Sequence, residues 1–332
     1  MKKSVLVLLL LLTAGFQAIA QENTEPEEES FKPNGKPIVT VFANVHSLIQ
    51  DGNAETAFQL TRGYLGYEYN FSKNFSGKVV FDIGNVGNVR YQMISFVKYA
   101  MMTYKYEKLS VNFGLIPTIE FTVQEKFWGH RYVEKAYMDA YAFSPSADLG
   151  VSATYKFNDI VSADLAVFNG EGYKLQQIDN YFKTAAGVTI NPIKKLTIRL
   201  VFDIMGRDST QITYGGFVGY KEEKFVFGAE YNYQQNHFMV PGQNYYGPSV
   251  YGTFNFNEKI SVFGRYDKLN SNVPEGEIEF WNYLQDGQQF IAGFQYAPIK
   301  EIKISPNYRA WIPDDSSKNY TNAIFLNVEV KL

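Results

Sequence analysis

Three histidines, His46, His130 and His237, are the side chains of this sequence that could move protons near neutral pH, and there is no cysteine. Thiol catalysis is therefore excluded. Hydrolysis would need a histidine beside a nucleophile, or a set of carboxylates. No GxSxG or HExxH pattern occurs, and all three histidines fall in or beside segments that read as loops. The run "PDDSS" at 313–317 could touch a cation, but it suits a solvated turn better. Neither an enzyme, a metal site nor a cofactor is expected. Charge concentrates instead in one stretch, 117–147, which reads "PTIEFTVQEKFWGHRYVEKAYMDAYAFSPSA". It places Glu120, Glu125, Lys126, Arg131, Glu134, Lys135 and Asp139 among Phe127, Trp128, Tyr132, Tyr137, Tyr141 and Phe143. Within it, Trp128 fits a packing anchor better than a sugar-stacking platform, and His130 a hydrogen-bonded loop residue better than a pH gate. A loop this long and aromatic is not expected to float in solvent.

The elements that must hold such a loop have a period of two. In "LGYEYNFSKNF" (65–75), Tyr67, Tyr69 and Phe71 share one strand face and a polar turn follows before Phe75. Comparable alternation recurs at 37–45, 60–71, 75–83, 96–106, 109–116, 148–157, 160–168 and 181–190. It continues at 196–205, 212–221, 225–234, 248–256, 260–267, 289–296, 302–311 and 321–332, sixteen segments in all. Most are close to the length of about 9 to 11 residues that a tilted membrane strand needs.

The connections alternate in length. Short polar turns are expected at 72–74, 107–108, 158–159, 191–195, 222–224, 257–259 and 297–301. Longer loops are expected at 46–59, 84–95, 117–147, 169–180, 206–211, 235–247, 268–288 and 312–320. A soluble sandwich has no reason to sort its loops this way. A transmembrane antiparallel β-barrel of about sixteen strands does, with both termini on the short-turn, periplasmic side.

The two strand faces agree with that reading. Leu196, Ile198, Leu200, Phe202 and Ile204 oppose Thr197, Arg199, Val201 and Asp203, and Ile324, Leu326, Val328, Val330 and Leu332 oppose Phe325, Asn327, Glu329 and Lys331. An unbroken apolar face with charge at mid-strand on the other is apolar-out toward lipid and polar-in toward water. Tyr67, Phe75, Tyr155, Phe157, Phe225, Phe256, Phe294 and Tyr296 take the outward register, many beside short turns, as an aromatic girdle at headgroup level requires. The segment "FVKYAMMTYKY" is the exception: uninterrupted alternation puts Lys98 and Lys105 on opposite faces, so its inward side stays open.

The first twenty residues, "MKKSVLVLLLLLTAGFQAIA", carry Lys2 and Lys3, an apolar run and Ala18-Ile19-Ala20, which is a secretory signal cleaved after Ala20. The apolar run is shorter than the roughly 20 residues of a membrane anchor. Residues 21–35 are expected to form an acidic flexible lead, and 36–332 the barrel. Loss of Lys2 and Lys3 takes the formal charge from −3 to −5, which disfavours nucleic acid as a partner. Sixteen strands leave an aqueous channel, so diffusion of small hydrophilic solutes follows from geometry. The inward register holds Arg62, Lys78, Lys156, Lys183, Arg199, Arg265, Lys303 and Arg309 against Glu68, Asp82, Asp148, Asp164, Asp203, Glu230, Asp267 and Glu329. That balance implies little net field, and leaves any preference to Glu125, Lys126, Arg131, Glu134, Lys135 and Asp139. A barrel with a plugged lumen serving binding or adhesion is the alternative.

The stretch "VQEKFWGHRYVEKAYMDAYAFSPSADLGVSATYKFNDIVSADLAVFNGEGYK" (123–174), with "LTRGYLGYEYNFSKNFSGKVVFDIG" (60–84), resembles outer-membrane porins of Bacteroidota allied to the phosphate-selective porin O and P type. The resemblance implies a sixteen-stranded homotrimeric pore in outer-membrane lipid with its third extracellular loop folded inside, and hence phosphate or other anions as a possible cargo class. Two features depart from it. The 117–147 stretch mixes both charge signs where phosphate-selective relatives are expected to carry excess Arg and Lys. The chain also ends in Leu332, where the barrel-assembly machinery usually reads an aromatic residue.

Overall fold

The computed structural model describes residues 31–84, 92–206 and 209–332, so the signal expected at 1–20 and most of the acidic lead lie outside the described residues. The barrel forms the compact unit Pro33–Leu332. It has sixteen antiparallel strands, each beside its sequence neighbours: β1 Asn34–Gln50, β2 Asn53–Asn70, β3 Phe75–Gly84, β4 Ile94–Tyr106, β5 Leu109–Pro117, β6 Ala147–Lys156, β7 Val161–Phe168 and β8 Lys183–Ile193. The second half is β9 Leu196–Gly206, β10 Thr210–Lys221, β11 Phe225–Gln235, β12 Tyr245–Asn255, β13 Ile260–Ser271, β14 Gly287–Ile299, β15 Ile302–Pro313 and β16 Thr321–Lys331. Strand β1 also pairs with β16, from Thr40 opposite Lys331 to Ile49 opposite Asn322, and this closes the sheet. Among the described residues no helix is long and apolar enough to cross a membrane.

All sixteen expected segments are strands, and the differences lie at their ends. The barrel starts at Asn34 rather than 36. The loop expected at 46–59 is instead a continuation of β1 and β2, paired from His46 opposite Ala57 to Gln50 opposite Asn53. Asp51 and Gly52 turn it with φ of 54° and 76°, the positive values a two-residue hairpin needs to match strand twist. The turns expected at 191–195 and 297–301 shrink because β8 and β14 run on to Ile193 and Ile299. Each absorbs an extra residue in a bulge next to Pro192 or Pro298, which have no N–H to give to the ladder.

A bulge also settles the ambiguous segment. Val80 pairs with Tyr99 and Phe81 with Val97, so Lys98 is the extra residue and the parity of β4 changes there. Val97, Ala100 and Met102 then face outward, while Lys98 is buried on the inward side, beside half-buried Tyr99 and Met101.

Leu149, Leu200, Phe227, Tyr231, Ile324 and Leu326 are exposed on the outer wall, whereas Asp82, Arg199, Asp203, Arg265 and Asn327, one register position over, are buried inside. The outer surface is therefore built for hydrocarbon. Folded protein should need detergent for extraction and should migrate faster unheated than boiled on SDS gels, because a closed barrel resists SDS until heat opens it. Leu200→Lys, mid-strand on the lipid face, should cost about 2–4 kcal/mol and lower the temperature of that mobility change. An unchanged transition temperature would place Leu200 away from lipid.

Candidate functional site

The connection between β5 and β6 runs over 118–146 and carries two short helices, α1 Thr122–Trp128 and α2 Tyr137–Ala140. Gly129 ends α1 in the left-handed region at φ 68°, where its N–H reaches the Glu125 carbonyl at 3.0 Å. The segment packs against inward-register side chains of the wall. Trp128 is 1% exposed, lies edge-on to Tyr251 and Phe263 at 5.4 and 5.8 Å, and donates its indole N–H to the Glu134 carbonyl at 2.8 Å. His130 stacks on Phe263 at 4.1 Å, with its Nε2 3.0 Å from the Thr253 hydroxyl. Burial, then the nearby Lys303, lower its pKa to about 3, so the ring is neutral at physiological pH. Tyr132 donates to Gln295 at 2.9 Å, Tyr137 to the Lys268 carbonyl at 2.8 Å and Tyr141 to Asp267 at 3.1 Å. On β10, Gly219 leaves the space that Phe127 fills, since a Cβ there would lie 2.5 Å from the ring.

Several wall charges meet this segment rather than water. Arg199 pairs with Asp164 and donates to the Ile119 carbonyl at 2.9 Å. Arg265 pairs with Asp267 at 2.7 Å, donates to the Lys135 carbonyl and lies over the Trp128 ring at 5.1 Å. Arg309 reaches Glu134 at 3.2 Å and Asn327 at 2.9 Å. Glu230 is buried and accepts from Asn232 at 2.9 Å. Lys183 is held between Glu120 at 2.5 Å, Asp203 at 3.4 Å and the Ser144 hydroxyl at 2.8 Å, with all three charged groups almost fully buried. Arg199, Arg265 and Glu230 thus keep the inward register expected for them, but the two arginines hold the 118–146 segment and Glu230 bonds to Asn232 of its own strand.

The other expected residues cluster on the opposite side of the lumen. Arg131 bridges Glu125 at 3.3 Å and Asp139 at 3.4 Å, while Lys135 stands 3.9 Å from Asp139. Burial alone would lower the Arg131 pKa, but the Tyr64 phenol, Asp139 and Glu125 outweigh it and hold it above the ordinary value. Arg62 pairs with Asp82, which also accepts from the Tyr173 hydroxyl at 2.6 Å. Lys78 lies over Tyr99 at 5.1 Å, and Glu68 faces Lys36 at 3.9 Å.

Between these groups lies a cavity of about 550 Å³. Its lining holds Lys36, Lys78, Lys98, Lys126, Arg131, Lys303 and Lys331 against Glu68, Glu125 and Glu329, seven cations to three carboxylates. Lys98 had no assigned role from sequence because its face depended on the bulge. Its ammonium is 3.4 Å from the Tyr64 hydroxyl and within 6 Å of the ring centres of Tyr64, Tyr99 and Tyr173. Tyr173 and Lys174, also unassigned, come in from the β7–β8 connection. Burial, then Arg62 and Lys135, lower the Lys174 pKa, which places several cations within reach of one another.

No family model and no curated protein matches the chain. Solved structures do. The outer membrane channel DcaP of Acinetobacter baumannii is 13% identical, covers 94% of this chain and 100% of its own, and superposes with a TM-score of 0.67. OprB of Pseudomonas putida, in a high-pH structure, is 8% identical, covers 90% and 94%, and gives a TM-score of 0.69. The anion-selective porin from Comamonas acidovorans is 10% identical, covers 91% and 100%, and gives a TM-score of 0.66. The chain therefore has the fold of the sixteen-stranded outer-membrane porins.

The buried Lys183 cluster gives a test of how the segment is held. Lys183→Met leaves Glu120 and Asp203 buried without their cation, and should destabilise the barrel by about 3–5 kcal/mol. The triple variant with Glu120→Gln and Asp203→Asn should regain much of that loss. The heat-dependent mobility change reads both, and equal transition temperatures for Lys183→Met and wild type would remove the cluster from the anchoring account.

Proposed function

We propose that the protein is an outer-membrane porin that passes small hydrophilic solutes by passive diffusion and favours anions. The observation that carries this reading is the seven-to-three excess of cations lining the 550 Å³ cavity. A closed barrel with a lipid-facing exterior gives the location, and the porin fold gives passive transport as the activity. Anions are favoured because the water-lined charges, not the evenly balanced whole wall, set the field. At physiological salt, screening over about 8 Å cuts off more distant charges. The acids that would balance the count, Asp164, Asp203 and Asp267, are already spent on buried Arg199, Lys183 and Arg265.

In this reading 118–146 is the size filter, with Glu125, Lys126, Arg131, Lys135 and Asp139 at the narrowed passage and Glu134 turned to Arg309. Residues 1–20 direct export, the barrel-assembly machinery inserts the chain, and three copies associate in outer-membrane lipid. The likeness of 123–174 to the porin O and P type supports the inserted loop, whereas the anion preference rests on the cavity lining. The three histidines bond within the fold: His130 stacks on Phe263 and bonds to Thr253, His46 bonds to Asn44 and His237 to Gln234.

Reversal potentials in planar bilayers under a potassium chloride gradient should show chloride favoured over potassium by a few-fold. Lys78→Met with Lys98→Met should bring that ratio toward one, and a cation preference in the wild type would overturn the reading. Deleting 118–146 from a barrel that still folds should raise single-channel conductance, and an unchanged conductance would place the segment outside the conduction path.

A further inference from the structure

A second cavity, of about 240 Å³, opens among the long connections, away from the basic passage. It lies between the β7–β8 connection, 169–182, and the β11–β12 connection, 236–244. Phe143, Leu175, Ile178, Met205, Phe238 and Met239 give it an apolar lining. Leu175, Ile178 and Phe238 are 66%, 78% and 68% exposed, which is unusual for large apolar side chains that are not on the lipid face.

The backbone that presents Phe238 is held in an unfavourable conformation. Asn236, Phe238 and Met239 have φ of 52°, 53° and 61°, in the left-handed region that side-chain-bearing residues avoid. Surrounding bonds fix them there. The His237 ring sits 4.6 Å from Tyr245 and 5.5 Å from Trp281 and bonds to Gln234. The Phe238 N–H donates to Gln211 at 2.9 Å, and Asn236 donates to the Thr210 carbonyl at 2.8 Å. The structure thus spends backbone strain to hold an aromatic ring over a cavity.

The polar groups of the cavity are unbalanced in sign. Lys183 at its base is already matched by Glu120 and Asp203. Glu171 and Asp179 remain. Glu171 accepts from the Ile178 N–H with Oε1 at 3.4 Å, but its Oε2 is buried and has no hydrogen-bond partner among the described residues. A buried carboxylate oxygen without a donor is costly, and a ligand that brings a cationic donor removes the cost. An aromatic ring beside it adds attraction for the same charge.

We propose that this cavity is a binding site for a small organic ammonium ion with an apolar body, its nitrogen on Glu171 and its body against Phe238, Leu175 and Ile178. The basic passage disfavours such a cation, so the ligand docks at the long-loop mouth without passing through. The site does not depend on the conduction reading, because binding needs no open pore.

Wild-type protein in lipid nanodiscs, titrated with phenethylammonium chloride and read by calorimetry, tests the site. Propylammonium removes the ring and phenylacetate reverses the charge. Saturable binding of phenethylammonium is expected, weakened about tenfold by Glu171→Gln and by Phe238→Ala, since one charge-assisted contact is worth that factor. Propylammonium should bind at least about tenfold more weakly than phenethylammonium, and phenylacetate should not bind. Both positions lie in connections, and heat-dependent gel mobility equal to wild type confirms that the variants are folded. Leu175→Ser serves as a third variant with the same expectation. Absence of saturable binding to the wild type, equal affinity in Glu171→Gln and wild type, or phenylacetate binding as tightly as phenethylammonium would each overturn the proposal.

Discussion

In hydrocarbon there is no water to satisfy an open strand edge, so every backbone N–H and C=O in the span must find its partner within the sheet. The pairing of β1 with β16 meets that constraint, and most other features follow from it. Closure fixes one face of each strand toward lipid and the other toward the lumen. A ring of sixteen strands is also too wide for side chains alone to fill. The interior must then hold both water and a large set of polar groups, and the position of a charge within it decides which of the two the charge meets.

The 118–146 segment divides those charges. Along β8 to β16 its backbone carbonyls and carboxylates receive Arg199, Arg265, Arg309 and Lys183, while its rings fill space against Tyr251, Phe263 and Phe217. A buried cation that lost its partners would be costly, so Arg199, Arg265 and Lys183 are each paired with a wall acid and Arg309 with Glu134 of the segment. Pairing removes both signs from the field felt by a solute. On the side formed by β1 to β4, β15 and β16 the segment leaves a gap, and there the cations outnumber the acids. Charge that is even over the whole wall becomes uneven where water reaches it.

Local periodicity made the strands readable. Each outward residue must be apolar, and the closure requirement repeats that rule sixteen times, so "LTIRLVFDI" reports its own inside and outside. What sequence could not supply depends on pairing between distant residues. The extension of β1 and β2 looks polar at 46–59 because it stands beyond the apolar span, so alternation that marks a strand in lipid is absent there. The bulge at Lys98 becomes visible only when Val80 and Phe81 are known to face Tyr99 and Val97. In hindsight two lysines seven residues apart in one strand were its signal, since both favour the lumen and unbroken alternation cannot put both there. Tyr173 carries no local sign at all: its role rests on Asp82, which is 91 positions away.

The two polar regions also differ in what sets them. The basic cavity is lined mostly by strand residues whose spacing is fixed by the ladder, so Lys78, Lys98 and Lys303 cannot be moved without moving the barrel. The apolar cavity among the connections is built from turns, held by side-chain bonds such as those of His237 and Asn236, and so it is free to vary while the barrel stays constant. Each short-range field acts only on its own surroundings, because screening over about 8 Å keeps charges farther apart than that from summing. A closed barrel therefore lets one chain carry a cationic cavity along its wall and an apolar cavity with carboxylates among its connections.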